Sequence, residues 1–349
     1  MPASPLQDGI IACQIAVSGH EMADTVEIVS ITVKSRIHRI SEAQIVLRDG
    51  DPTTASFSKS DTETFVPGHP VEIRLGYDNR PAPVFRGIVT GMRIRADGDG
   101  SALVVTCHHE AVRMSLIQQR RQFHDLTDGE LIRRLCADHG IACQVTDTPI
   151  RHAVAIQDGQ SDFDFAVTRA RENGLLMVDT LDGVRVGPPD VENTVLGVSF
   201  GTDLDALDLS LDGLTQVPAF HCVGPTGDST QQAVSIEPTV NRQGNLSGGE
   251  LARRLDTPPQ TLSVPTQTGI EDLQRRADAA LLWSRLARIT GRLEFQGNSG
   301  VRPNTVVDLR GVGQRFEGLA VVGGVRHEVV AGNWRTQIEV GLPIVEQSQ

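Results

Sequence analysis

The stretch Phe85-Arg86-Gly87-Ile88-Val89-Thr90-Gly91-Met92-Arg93 decides the fold, because its pattern recurs near the other end of the chain. The second copy reads Phe316-Glu317-Gly318-Leu319 and then Gly324-Val325-Arg326. A proline and an apolar-acid-apolar triplet precede each copy: Pro67 with Val71-Glu72-Ile73, and Pro303 with Val307-Asp308-Leu309. This repeat predicts two related small β-barrels, with Phe85 over Phe316 and Gly87 over Gly318. Generic strand and turn composition is the alternative explanation.

Short β patterns surround both copies of the repeat. From about Gly9 to Leu116, runs of β-branched and aliphatic residues are separated by Gly, Pro and Asp, which is typical of a small barrel or sandwich. Near the second copy, every second residue from Leu207 to Leu211 is leucine, and the residues between are Asp208 and Ser210. Such alternation predicts a strand with one apolar face and one polar, solvent-exposed face. Two polar segments, Gly227–Ser235 and Thr239–Gly249, are predicted to be exposed loops.

The residues between the two β stretches have a different character. Thr127 and Glu130 form a capping-box pattern, which predicts a helix from Asp128 to His139. Ser161 and Asp164 form a second one, opening a helix that ends at Gly174 and leads into a hairpin. We therefore predict a mainly β protein in which two related small β-barrels flank an α+β domain. The predicted domains are a first barrel (1–116), an α+β insert (117–190), and a second barrel (191–349) with polar loops and a helix at about 270–290.

Composition excludes several classes of function. The chain has 349 residues and a formal net charge of −12, which argues against non-specific binding of nucleic acid. No stretch is apolar enough for a membrane span, and the N-terminus lacks the pattern of a signal peptide, so we expect cytoplasmic synthesis and no membrane insertion. Five scattered cysteines without a C-x-x-C pattern are interpreted as buried thiols in a reducing compartment.

Four short motifs suggest chemistry, and each is better explained as structure. Gly197-Val198-Ser199-Phe200-Gly201 matches a nucleophile elbow, but no helix pattern follows, so Ser199 is interpreted as a strand residue. Adjacent side chains on a strand point to opposite faces, so Cys107-His108-His109-Glu110 cannot converge on one metal ion. We predict no catalytic, cofactor-binding or metal-ligating residue.

The other two motifs fail on their own pattern. The run Asp208 to Gly213 begins like a calcium-binding loop, but its twelfth position is Ala219 instead of glutamate. The run Gly311-Val312-Gly313-Gln314-Arg315-Phe316 lacks the third glycine of a dinucleotide-binding loop and leads into a strand pattern.

Several phrases, taken in order, resemble the phage late control protein D family, which includes the hub part of the VgrG proteins of type VI secretion. They are Gln157 to Phe165, then Arg169 to Gly174 with the hairpin, then Gly311 to Gly318, Val325-Arg326-His327 and Trp334-Arg335-Thr336. The resemblance covers residues 10 to 343. It implies a homotrimer of two barrels per chain, which forms the baseplate hub of a contractile injection machine. The sequence departs from VgrG in reaching Gln349 with no spike-stem pattern, so we expect the spike to be another polypeptide or to lie outside this sequence.

The resemblance implies a non-enzymatic structural protein that joins a six-fold inner tube to a three-fold central spike. The implied partners are the tube or tube-initiator protein, the spike protein, and baseplate adaptor or wedge proteins. The implied location is a phage tail or injection-particle baseplate assembled in the bacterial cytoplasm, and no cofactor is expected. The rival interpretation is a cell-wall hydrolase carried on a tail tip.

Overall fold

The computed structural model describes Pro5 and residues 9–23, 25–51, 53–54, 56–98, 100–192, 194–240 and 242–344. The ends of the predicted domains, residues 1–4 and 345–349, lie outside this range. The described residues form 21 strands and four α-helices, which confirms the prediction of a mainly β protein with an α+β insert.

The first β unit is built around a core of aliphatic side chains, with Ile31, Ile45, Ile73 and Leu103 completely buried. Alternating residues of its strands point into this core, as the period of two in the sequence requires. Each strand of this unit, including the short strand beside β1, pairs antiparallel with its neighbours. The strands are β1 (Ile11–Val17), β2 (His20–Glu21), β3 (Ile28–Arg36), β4 (Glu42–Arg48), β5 (Pro70–Tyr77), β6 (Ala82–Asp97) and β7 (Gly100–His108).

The insert packs two helices against a two-stranded ribbon and a three-stranded sheet. A helix begins at each of the two predicted capping boxes. The Thr127 hydroxyl accepts a hydrogen bond from the Glu130 amide at 3.2 Å, and the Ser161 hydroxyl accepts one from the Asp164 amide at 3.1 Å. The elements are β8 (Gln118–Thr127), α1 (Asp128–Asp138), β9 (Cys143–Val145), β10 (Arg151–Ser161), α2 (Asp162–Glu172), β11 (Leu176–Thr180) and β12 (Gly183–Gly187).

The second β unit has its own core, which includes Leu293, Phe295 and Leu309. A small side sheet of three strands packs on its long helix. The elements are β13 (Thr194–Ser199), β14 (Leu204–Leu211), β15 (Phe220–Thr226), β16 (Ser229–Val234), α3 (Gly248–Arg254), β17 (Gln260–Ser263), α4 (Ile270–Leu286), β18 (Ile289–Gln296), β19 (Val306–Arg310), β20 (Gly318–Val330) and β21 (Asn333–Val340).

In this unit one sequence prediction is wrong, the loop at Gly227–Ser235, and two others are corrected only at their ends. The helix near 270–290 ends at Leu286, because the β-branched pair Ile289-Thr290 starts β18 and pairs with β14. The segment Gly227–Ser235 is not a loop, since β16 pairs with β15 through most of it. Its side chains are nearly all polar and exposed, so the sequence carries no apolar alternation there. The segment Thr239–Gly249 ends in the first turn of α3, which is capped by Ser247.

The two β units share one topology. Across the sheet the first unit has the order β1-β5-β6-β7-β4-β3, and the second has the order β13-β19-β20-β21-β18-β14. We can number the six strands of each unit along the chain, leaving out β2 and the side sheet. The spatial order is then the same in both units: first, fourth, fifth, sixth, third and second strand. The units differ at the first strand, which is antiparallel to its neighbour in the first unit and parallel in the second. This common order supports the relation that the sequence repeat predicts.

The register corrects one detail of that repeat. Ile73 pairs with Phe85 in the first unit, whereas the corresponding Leu309 pairs with Gly318 in the second. Phe85 therefore corresponds to Gly318 and not to Phe316, which lies in the turn before β20. The Phe-x-Gly motif is two residues out of register because the chain between the corresponding pairs differs in length: it runs from Ile73 to Phe85 in the first unit and from Leu309 to Gly318 in the second.

The two units are joined edge to edge into one 13-stranded sheet. The C-terminal half of β20 pairs antiparallel with β3, from Gly324 opposite Arg36 to Val330 opposite Ser30. Trp334 of β21 crosses this junction, because it lies in the core of the first unit, where it stacks on Tyr77 with ring centroids 5.3 Å apart. The second unit therefore completes the core of the first.

Candidate assembly surface

Ser199, the serine of the nucleophile-elbow motif, lies at the end of β13. It pairs with Arg310 of β19, and its amide donates to the Asp203 carboxylate at 2.9 Å. A turn and then β14 follow, so the strand-to-helix turn that exposes a nucleophilic serine does not occur at this position.

We expect Ser199→Ala to change the free energy of unfolding by less than about 1 kcal/mol, because the contact to Asp203 uses the backbone amide and survives the substitution. A serine-directed covalent probe supplies the second measurement, with denatured protein as the control. Labelling of Ser199 in the native protein would contradict the strand interpretation.

The Cys107–Glu110 run also separates as the strand geometry requires. Cys107 is completely buried in the first core, whereas the His108 ring lies 2.7 Å from the Thr90 hydroxyl. His109 accepts a hydrogen bond from the Ala111 amide at 3.1 Å and so caps the 3-10 helix that follows. Within the described ranges, no group of three or more His, Cys, Asp or Glu side chains is placed to hold a metal ion.

One buried cluster that sequence reasoning missed contains Ser41, His109 and Asp179. The Ser41 hydroxyl and amide both donate to the Asp179 carboxylate at 2.6 Å, and burial raises the pKa of Asp179. The His109 nitrogen nearest to Asp179, at 3.8 Å, already accepts from a backbone amide. A hydrolytic triad needs the serine on the imidazole and the imidazole on the carboxylate. Here the serine donates directly to the carboxylate instead, and this contact connects β11 of the insert to the first unit.

A groove of about 500 Å³ between the first unit and the insert is lined by paired charges. Glu72 accepts from Arg74 and Arg86, and Arg86 also contacts Asp182 of the insert at 2.6 Å. Of these contacts, the one between Arg86 and Asp182 joins the insert to the first unit.

Two exposed strand edges form the candidate assembly surface. The β6 edge, residues Gly91–Ala96, lies beyond the part of β6 that pairs with β5, and the β14 edge, residues Ala206–Leu211, lies opposite β18. Gly91–Ala96 pair with β7 and Ala206–Leu211 pair with β18, and among the described residues no strand pairs with the other side of either segment. Unpaired backbone groups on an exposed edge are a template for pairing with another strand. The sequence analysis did not identify these edges as a site, although both strands alternate apolar with charged or polar residues.

The β6 edge is also unusually apolar for an exposed surface. Met92 is 39% exposed and Ile94 is 47% exposed, and both alternate with exposed arginines, Arg93 and Arg95. On the β14 edge, Leu207, Leu209 and Leu211 are half-buried, and Asp208 between them is exposed. Each edge therefore offers apolar side chains on one face and polar or charged ones on the other.

No helix of the described residues is both long enough and apolar enough to cross a bilayer.

Structural comparison places the chain among phage tail-protein folds. The tail protein from Neisseria meningitidis MC58 matches with a TM-score of 0.69 and 16% identity, over 96% of this chain and 97% of that one. The 43 kDa tail protein of prophage MuSo2 from Shewanella oneidensis matches with a TM-score of 0.67 and 13% identity, over 95% and 98%. The c3393 protein of E. coli, a component of the type VI secretion system, matches with a TM-score of 0.60 and 11% identity, over 95% and 77%.

The fold is therefore that of the phage tail proteins. The family described as the Alg8 N-terminal domain matches residues 7–331, and the chain belongs to that family. No curated protein matches the sequence.

Proposed function

We propose that this chain is the structural hub of a contractile injection machine, a trimer that joins a six-fold inner tube to a three-fold central spike. The duplication carries this proposal. Each chain contains two units of the same strand order, so three chains present six similar units. Such a ring meets a six-fold tube on one side and keeps three-fold symmetry for a spike on the other. The fold shared with phage tail proteins supports the same assignment.

The proposed partners are a second and third copy of this chain, the tube or tube-initiator protein, the spike protein, and baseplate adaptor or wedge proteins. The proposed role is non-enzymatic and resembles that of the late control protein D and VgrG hubs, without nucleic-acid binding or membrane insertion. The formal net charge of −12 supports protein partners over nucleic acid. We propose assembly in the bacterial cytoplasm, into a phage tail or injection-particle baseplate.

The test is the oligomeric state with and without partners. We expect native mass measurement to give a trimer, and electron microscopy to give a three-fold ring with a central channel. A folded chain that stays monomeric in the presence of its spike and tube proteins would defeat the hub assignment. Hydrolysis of purified cell wall by the chain would instead favour the tail-tip hydrolase.

A further inference from the structure

We propose that the β6 edge of one copy pairs antiparallel with the β14 edge of a second copy, in the register that β20 and β3 use within one chain. This inference rests on the proposed function only for the number of copies in the ring. The pairing itself follows from the internal duplication, because β6 corresponds to β20 and β14 corresponds to β3.

Two pairs of bulges, one bulge of each pair in each unit, fix the correspondence residue by residue. The ladder between β6 and β7 shifts between Val89 and Gly91, and the ladder between β20 and β21 shifts between Val322 and Gly324, so Gly91 corresponds to Gly324. The ladder between β3 and β4 shifts between Ile28 and Ser30. The ladder between β14 and β18 shifts between Leu204 and Ala206, so Ser30 corresponds to Ala206.

The two assignments agree with each other through the rest of the sheet. Met92 pairs with Val105, and Val105 pairs with Ile45, which pairs with Ile31. In the second unit, Val325 leads through Ile338 and Leu293 to Leu207 by the same steps. Both pairs of bulges therefore give the same register for the two units.

The chain contains one junction of this type already. Within one copy, Val325 faces Ser35, His327 faces Val33, Glu328 faces Thr32 and Val329 faces Ile31. Transferred to the free edges, this register places five consecutive residue pairs opposite each other: Met92 with Leu211, Arg93 with Ser210, Ile94 with Leu209, Arg95 with Asp208, and Ala96 with Leu207.

These pairs are chemically complementary, although the register was transferred without reference to side chains. Three of the five pairs join apolar residues, a fourth joins an arginine to an aspartate, and the fifth places Arg93 opposite the hydroxyl of Ser210. Directly opposed residues of an antiparallel pair lie on the same face of the sheet with Cβ atoms about 5 Å apart, so each pair would be in contact. A shift by one residue would place Ile94 opposite Asp208 or Ser210, and would remove the match.

Corresponding residues of β20 and β6 differ in solvent exposure, as the proposal requires. In β20, where β3 is present, Val325 and His327 are each 5% exposed. At the corresponding positions of β6, Met92 is 39% exposed and Ile94 is 47% exposed. A second copy seated on the β6 edge would cover these side chains as β3 covers those of β20.

The two edges belong to different surfaces of one copy, so the contact is head to tail. Such a contact either closes a ring or extends into a filament. With three copies, the ring would contain three β20–β3 junctions within chains and three β6–β14 junctions between chains.

The test is disulfide formation between copies. Opposed strand residues fall within the Cα separation that a disulfide spans, so the double variant Ile94→Cys/Leu209→Cys should form covalent dimers and trimers on mild oxidation. The matched control is Ile94→Cys/Ser210→Cys, in which the second thiol points to the other face of β14 and should remain reduced. The unmodified protein, with its own five free cysteines, controls for other links.

The outcomes separate the pairing from the hub assignment. Covalent species that stop at the trimer support both. A ladder that continues beyond three chains supports the pairing and overturns the trimer. A trimer by native mass measurement, with no more disulfide in the Ile94→Cys/Leu209→Cys variant than in the control, overturns the pairing and leaves the hub assignment standing.

Charge reversal gives a second measurement that needs no oxidation. Arg95→Asp faces Asp208 with a like charge, and Asp208→Arg faces Arg95 in the same way, so each should raise the concentration needed for assembly roughly tenfold. The double variant Arg95→Asp/Asp208→Arg should restore assembly. Two single variants that assemble like the unmodified protein, or a double variant no better than either, would overturn the proposed register.

Discussion

Replacement of Trp334 by alanine is expected to lower the free energy of unfolding by about 3 to 5 kcal/mol, a large share of the stability of an ordinary domain. The side chain is 1% exposed and stacks on Tyr77, and its ring centroid lies 5.9 Å from that of His327. It also fills the space above Gly297, where a Cβ atom would collide with the indole ring. Removal of the ring therefore leaves a cavity at the junction of the two units.

The measurement is urea unfolding followed by far-ultraviolet circular dichroism. Leu214→Ala is the matched control for loss of a large apolar side chain, because Leu214 is 83% exposed and should change the free energy of unfolding by less than about 0.5 kcal/mol. Trp334→Phe should fall between the two. If Trp334→Ala lost no more stability than the Leu214 control, the tryptophan would not be part of the core.

The second large effect is expected at Asp128, the first residue of α1. Its carboxylate is 1% exposed and accepts hydrogen bonds from Arg169 at 2.5 Å and Asn173 at 2.8 Å, and it lies 3.1 Å from the His152 ring. Asp128→Ala removes the buried carboxylate that pairs with Arg169, although Glu172 still contacts the Arg169 guanidinium at 2.8 Å. Breaking a buried ion pair from one side typically costs about 3 to 5 kcal/mol, and we expect a loss near the lower end of that range because Glu172 remains.

Asp147→Ala is the control, because Asp147 also pairs with an arginine, Arg133, but its side chain is 92% exposed. Exposed pairs contribute about 0 to 1 kcal/mol, so the two aspartates should differ clearly in the same urea experiment. Equal losses at Asp128 and Asp147 would contradict the buried network.

The same residue gives the protein an acid-sensitive term. Burial alone would raise the pKa of Asp128, but the contacts with His152, Arg169 and Asn173 outweigh it and hold the pKa well below its usual range. A carboxylate with a depressed pKa stabilises the folded state above its unfolded pKa of about 3.9, and this stabilisation is lost as pH falls through the lower folded value. The difference in stability between the unmodified protein and Asp128→Ala should therefore shrink as pH falls below about 4.

Local signals in the sequence predicted much of the fold. Capping residues identified the starts of α1 and α2, since a hydroxyl that accepts from a backbone amide acts within four residues. The Gly-apolar-Arg phrase at Gly91 and Gly324 marked corresponding residues of the two units, because both follow a bulge in the same ladder. The Phe-x-Gly motif predicted the wrong corresponding residues, because it depends on a turn whose length differs between the units.

The candidate surface could not be predicted from the sequence for a physical reason. Whether a strand lies at an edge depends on which distant strand pairs with it, and Met92 and Ile94 have the same apolar alternation as Val325, which is buried. The partner of β20 lies near the N-terminus, and nothing local distinguishes a strand with such a partner from one without. The Asp128 network was missed for the same reason, since the partners of Asp128 lie 24 to 45 residues from it in the sequence.

The junction between β3 and β20 also has a consequence for biosynthesis. The ribosome synthesises about 290 residues between Arg36 and its partner Gly324, which at the usual speed of translation takes roughly 15 to 60 s. Throughout that interval the N-terminal unit lacks both its last neighbouring strand and the tryptophan of its core. A nascent chain therefore carries an unpaired β3 edge until β20 has been made, and an unpaired edge is a template for pairing with another strand. Only a chain synthesised past Trp334 can complete the core of its first unit.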